Sequence, residues 1–129
     1  MGFLDIDLND AVEPKASSAG EHLVRLVDLT KDIDKNGHPY LLARLDLPKE
    51  PTAKDFTQFL GLPYQGQDEK QANQAKWRLK SFSEAFGIDF GVINSADEVK
   101  GRTAWAILGV GETDEYGEQN YIKKYVKPA

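Results

Sequence analysis

Hydrophobic residues along the chain fall into two periods. In residues 40–47 Leu41, Ala43, Leu45 and Leu47 alternate with Tyr40, Leu42, Arg44 and Asp46, the two-residue period of a strand with one buried face. Residues 21–31 are less regular. Leu23, Val27 and Leu29 share a side with Arg25, while Val24 and Leu26 share one with His22 and Asp28. A strand apolar on both sides suits a bent barrel strand or one carrying a bulge. The stretch DFTQFLGLP predicts a short third strand ending near Gly61. The period then lengthens: Ala72, Ala75, Leu79, Phe82 and Phe86 mark one face of a helix over residues 68–86. Asp68 is the expected N-cap and Gly87 the expected C-cap, with Ile88 making the apolar contact beyond it. Trp77 stands off that stripe and reads as a packing residue at the helix margin. Strand alternation returns over residues 102–110, where Ala104, Ala106, Leu108 and Val110 oppose Thr103, Trp105 and Ile107. In residues 120–126 Ile122 and Val126 oppose Tyr121, Lys123 and Tyr125.

The order is three strands, a helix and two strands. It predicts a mainly β protein, a five-stranded OB-fold barrel with one α-helix between the third and fourth strands. A sandwich with an added helix is the competing arrangement. Residues 1–19 read as an acidic N-terminal arm, in which the alternation of FLDIDL gives way to linker-like EPKASSAG. Residues 20–129 form the expected OB-fold domain.

The segment DIDKNG, residues 32–37, resembles the first half of a calcium loop. Such a loop needs a bidentate Glu at its twelfth position, where this chain has Ala43, and its flanks should be helices. The segment therefore reads as a hairpin turn, with Asn36-Gly37 supplying the positive φ of a tight primed turn.

At 129 residues the chain has the length of one domain. No apolar run approaches the length of a membrane span, and the acidic start lacks the pattern of a secretory signal. Cysteine is absent, which excludes disulfides and thiolate chemistry. The net charge of −5 argues against a polyanionic partner, but the charge is unevenly spread. Asp5, Asp7, Asp10 and Glu13 lie in the arm and Glu112, Asp114, Glu115 and Glu118 near a turn. Setting these eight acids and Lys15 aside, from totals of 21 acids and 16 bases, leaves 13 acids against 15 bases. The body is slightly basic, and local potential matters more than the total.

Catalytic chemistry has little support. His22 and His38 have no spaced partners for a triad or a zinc site, and GVGETDEYG lacks the third glycine of a dinucleotide fingerprint. The protein reads as a non-enzyme that needs no metal or cofactor. Binding of an unpaired nucleic-acid strand has more support, because it requires flat rings for bases and cations for phosphates. Tyr40 and Arg44 on the second strand, Arg25 and Lys31 on the first, Trp105 on the fourth and Tyr121, Lys123 and Tyr125 on the last supply that mixture. Strands also use tyrosine and lysine simply because both suit an exposed pleated face.

Four segments carry a family resemblance: Gly-x-His-x-Val-Arg-Leu at residues 20–26, Lys-Asn-Gly at 35–37, Lys-Gly-Arg at 100–102, and Tyr-Gly with Asn-x-Ile-x-x-Tyr across 116–125. The chain resembles, over residues 20–127 and thinly between 50 and 95, small bacteriophage OB-fold single-stranded DNA-binding proteins of replication and recombination modules. The resemblance implies sequence-nonspecific single-stranded DNA as the partner, with other replication or recombination proteins beside it. It implies no membrane association, a location in the host cytoplasm, and leaves homo-oligomerisation open. Proteins of that kind often end in an acidic tail, whereas this chain ends KKYVKPA; the acidic arm at 5–13 is the candidate for that role.

Tyr40, Trp105, Tyr121 and Tyr125 are thus the expected base-stacking residues. Arg25, Lys31, Arg44, Lys123 and Lys124 are the expected phosphate contacts, although Lys124 falls on the side expected to face inward. The alternative is a non-enzymatic phage assembly or adaptor module that uses the same barrel for protein contact. A second rival is a small hydrolase or nuclease, which would need carboxylates clustered on one barrel rim.

Overall fold

The structure, a computed structural model, describes residues 2–127. Met1 of the arm and Pro128 and Ala129 of the basic C-terminal run lie outside the described residues. Strand β1 (Gly20–Ile33) is the spine of a five-stranded antiparallel sheet. Along one half it pairs with β2 (Pro39–Asp46), which pairs with β3 (Phe56–Gly61). Along the other half it pairs with β4 (Thr103–Thr113), which pairs with β5 (Gly117–Tyr125). The order is β3-β2-β1-β4-β5, with helix α1 (Glu69–Phe86) inserted between β3 and β4. This is the strand order and helix position of an OB-fold. The sheet curls until β3 approaches β5, but no backbone ladder joins them, so the barrel stays open along that seam.

Two bulges set the phase of the long strands. In β1 the register shifts between Leu26 and Asp28, so Val27 is an extra residue. Val24 and Leu26 point inward before it, Leu29 after it, and this is why the strand carries apolar residues on both of its nominal faces. In β5 a second shift falls where Ile107 opposes Lys124 and Leu108 opposes Ile122, leaving Lys123 unpaired.

The inward side holds Val24, Leu26, Ala43, Leu45, Leu60, Ala106 and Leu108, all fully buried. α1 adds Phe82 and Phe86 to this core, as its stripe predicts. Asp68 accepts a hydrogen bond from the Gln71 backbone N–H at its N-terminus. At the other end Gly87 is left-handed (φ 67°) and Ile88 N–H returns to the Ser83 carbonyl at 2.8 Å, a Schellman closure with Ile88 buried. Among the described residues no helix is long and apolar enough to cross a membrane.

The β1–β2 turn differs from the expected one. Only Gly37 has positive φ; Asn36 does not. The loop is closed by Asp34, whose carboxylate accepts from the backbone N–H groups of Asn36 and His38, each at 2.9 Å. These bonds hold its carboxyl below the usual aspartate range, the one from His38 contributing most. Asp34 thus shapes a turn, and among the described residues no group of three or more His, Asp or Glu is arranged to hold a metal ion.

The arm joins the domain at its inner end. Lys15 bridges to Ala53, and buried Asn120 of β5 clamps Ser17: its Oδ1 accepts from Ser17 N–H at 2.8 Å, and its Nδ2 donates to the Ser17 carbonyl at 2.9 Å. Residues 2–14 are exposed and carry no helix or strand.

Candidate nucleic-acid interface

Residues directly opposite in a ladder share a face, so the registers locate every expected side chain. On the outward face, Trp105 opposes Leu23, Lys124 opposes Ile107 and Tyr121 opposes Gly109. Trp105 is 43% exposed and Tyr121 45%. The Tyr121 ring lies across Gly109: a Cβ added there would fall 2.3 Å from Tyr121 Cζ, so only glycine admits the ring at this distance. Lys49 Nζ stands 4.8 Å from the centre of the Trp105 ring, a cation–π contact. Lys124 was expected to face inward. The bulge at Lys123 advances the alternation by one residue and turns it outward.

The same extra residue corrects the expectation for Tyr125. It does not share a face with Tyr121; it points into the barrel seam and packs edge-on against Phe82 and Phe86, with ring centres 6.0 and 5.5 Å away. Its hydroxyl donates to Gln58 Oε1 at 2.5 Å, and burial pushes the phenol well above its ordinary pKa. Tyr125 is a packing residue of the seam and does not stand on the outward face with Tyr121.

Lys31 is the other misplaced residue. The β1 bulge separates it from Arg25, and its partner in the ladder is Leu41, on the inward side. It borders an apolar cleft of about 490 Å³ between the sheet and α1, lined by Leu41, Leu62, Leu79 and Ile93. It does not stand with Tyr40 and Arg44.

Arg25, Tyr40 and Arg44 do share the outward face, but both arginines are already engaged. Arg25 grips Asp46 through Nε and Nη2, at 3.0 and 2.5 Å, and that hydrogen bond with its charge raises the Arg25 pKa. Arg44 meets Asp55 at 3.1 Å. Asp28 opposes Arg44 and Asp32 opposes Tyr40 on the same face. The arginines of the β1–β2 surface are thus matched by carboxylates, and Asp28 is itself paired with Lys100 at 3.4 Å, so this surface offers a polyanion few free cations.

The rings there extend beyond Tyr40. Phe59, 60% exposed, lies 4.9 Å from Tyr40, and His38 stacks on Tyr64 with ring centres 4.0 Å apart. The signal for Phe59 was in its alternation: it sits out of phase with buried Phe56 and Leu60. Tyr64 lies in a loop, where no period announces it.

By contrast, Lys49, Lys123 and Lys124 have no carboxylate within salt-bridge distance among the described residues. Exposed rings and unpaired cations thus coincide on the β4–β5 side of the sheet. No protein-family model and no curated protein matches this chain.

Proposed function

We propose that the protein binds single-stranded DNA without sequence preference, through the outward face of β4 and β5. The observation that carries this reading is the pair of exposed rings, Trp105 and Tyr121, beside the unpaired ammonium groups of Lys49 and Lys124. Bases stack on the rings, each stack contributing about 1–3 kcal/mol, and the lysines meet the phosphates between them. Tyr40 and Phe59 offer a further stacking platform on β2 and β3. Arg25 and Arg44 contribute less, because each would have to leave a carboxylate to reach a phosphate. A role in phage replication or recombination rests only on the resemblance at residues 20–26, 35–37, 100–102 and 116–125.

The test uses a Trp77→Phe variant, in which Trp105 is the sole tryptophan. Oligo-dT should quench its fluorescence at low salt, and the apparent affinity should fall steeply as salt rises, since phosphate pairing releases counterions. Lack of quenching together with lack of a mobility shift at low salt would remove the reading.

One observation favours a second reading, a non-enzymatic adaptor or assembly module. Phe3, Leu4, Ile6, Leu8 and Val12 are all well exposed on the arm, interleaved with carboxylates. Exposed apolar residues in series are a feature of protein-contact segments. Under that reading, removing residues 2–14 abolishes association with a protein partner, and oligo-dT has no salt-dependent affinity.

A further inference from the structure

Trp77 is not the packing residue its position suggests. It stands 57% exposed on α1, at the edge of a cleft of about 360 Å³ between the helix and the end of β5. Arg78, Ser81 and Glu84 line the helix side, and Lys123, Lys124 and Lys127 the strand side, over a floor of Ile122 and Tyr125. Four cations thus meet one carboxylate in a chain whose net charge is −5. Glu84 itself has a partner in Lys80, at 4.0 Å, whose ammonium also lies 5.9 Å from the centre of the Trp77 ring. Arg78, Lys123, Lys124 and Lys127 have no carboxylate within salt-bridge distance among the described residues. A pocket that gathers unpaired cations around an exposed indole is complementary to a nucleotide: an anionic phosphate beside a flat base. Its volume is within the usual range for small-ligand sites, about 300–1,000 Å³.

The β5 bulge gives this cleft and the sheet face one residue in common. Lys124 faces outward opposite Ile107, toward the Trp105 and Tyr121 side, and also borders the cleft; Lys123, the extra residue, lies next to it. A strand crossing the outward face would meet Lys124 at the border of the cleft that Trp77 also lines.

We propose that the cleft between α1 and β5 is a second subsite for the same single strand, in which Trp77 stacks a base and Arg78, Lys123 and Lys127 meet phosphates. The inference rests on the sheet-face reading above and extends it: the footprint runs off the sheet and onto the helix.

The two tryptophans test the two surfaces separately. A Trp105→Phe variant leaves Trp77 as the sole reporter, and a Trp77→Phe variant leaves Trp105. An oligo-dT of about 20 nucleotides, longer than the span of one OB-fold, should quench both reporters, whereas one of about 6 nucleotides should quench Trp105 more than Trp77. Trp77→Ala should weaken binding of the longer oligomer about tenfold and leave the shorter one nearly unchanged. Arg78→Gln with Lys127→Gln, two exposed changes that spare the core, should reduce the slope of log affinity against log salt by about 1.4. If Trp105 responds to the longer oligomer while Trp77 stays silent and the double variant keeps its salt slope, the cleft is overturned and the sheet face stands. If neither reporter responds, both readings fall.

Discussion

The Tyr125 hydroxyl donates to Gln58 Oε1 at 2.5 Å, joining the last strand to β3 where no backbone ladder does. The bond fastens the seam of the barrel by side chains, with Phe82 and Phe86 packed against the same ring. Tyr125→Phe should therefore destabilise the fold by about 1–2 kcal/mol, because Gln58 loses its donor in a partly dry site. Tyr125→Ala should cost about 3–5 kcal/mol through the cavity it leaves. Urea unfolding measures both. Affinity of Tyr125→Phe for oligo-dT, measured on folded protein, should equal that of the parent; a tenfold loss would return the ring to the interface.

Gly109 and Tyr121 form a platform that tolerates no side chain beneath it. Gly109→Ala should push the Tyr121 ring off the sheet, since the new methyl would collide with its outer atoms. The ring is half exposed and free to swing away, so stability should change by less than about 1.5 kcal/mol. Oligo-dT affinity should fall about as far as in Tyr121→Ala, and the double variant should be no worse than either single one. Additive losses would mean that the two residues act independently.

Asn120 holds the arm by two hydrogen bonds to the backbone of Ser17, and its Nδ2 also donates to the Gly109 carbonyl of β4. Asn120→Ala leaves the buried Ser17 N–H without an acceptor and should cost about 1–3 kcal/mol. Hydrogen exchange at the Ser17 amide should accelerate far more than at the amides of β2. Equal acceleration everywhere would indicate global loosening instead of release of the arm.

Glu98 caps the connector before β4, its Oε2 accepting from the backbone N–H groups of Ser95 and Asn94 at 2.8 and 2.6 Å. Those bonds, Ser95's first, hold its carboxyl below the ordinary glutamate value of 4.5. A depressed carboxylate contributes its stabilisation in full above the unfolded-state value and loses it as pH falls through the folded-state one. The connector should therefore hold at neutral pH and loosen only on acidification below 4.5. NMR titration should give Glu98 and the Asn94 and Ser95 amides one shared, low midpoint; Glu98→Gln should remove it.

Periodicity made much of this legible in advance. The helix, its stripe from Ala72 to Phe86 and both of its caps follow from local rules that tertiary context did not override. The position of that helix among the strands points to an OB-fold over a sandwich, and the ladders decide for the order β3-β2-β1-β4-β5. What could not be read was phase. Alternation reports facing only while each residue opposes one partner, and Val27 and Lys123 break that count without any residue-type signal. Lys31, Lys124 and Tyr125 all lie beyond a bulge, and all three face the opposite way from a strict alternation. Pairing of charges was equally hidden. Nothing in the order of residues announces that Asp46 and Asp55 occupy Arg25 and Arg44, or that Trp77 and Lys127, 50 positions apart in the chain, share one cleft.

The unpaired position in β5 also fixes how far the barrel wraps. Were residue 123 deleted, Ile122 and Tyr125 would still point in and Lys124 out, for the remaining residues would simply alternate. The strand would run straighter, however, because a bulge adds bend and twist. Its end would then swing away from β3 and draw Tyr125 out of reach of Gln58. One extra residue in β5 thus bends the strand toward the seam, and its deletion would loosen that seam without moving a flanking side chain to the other face.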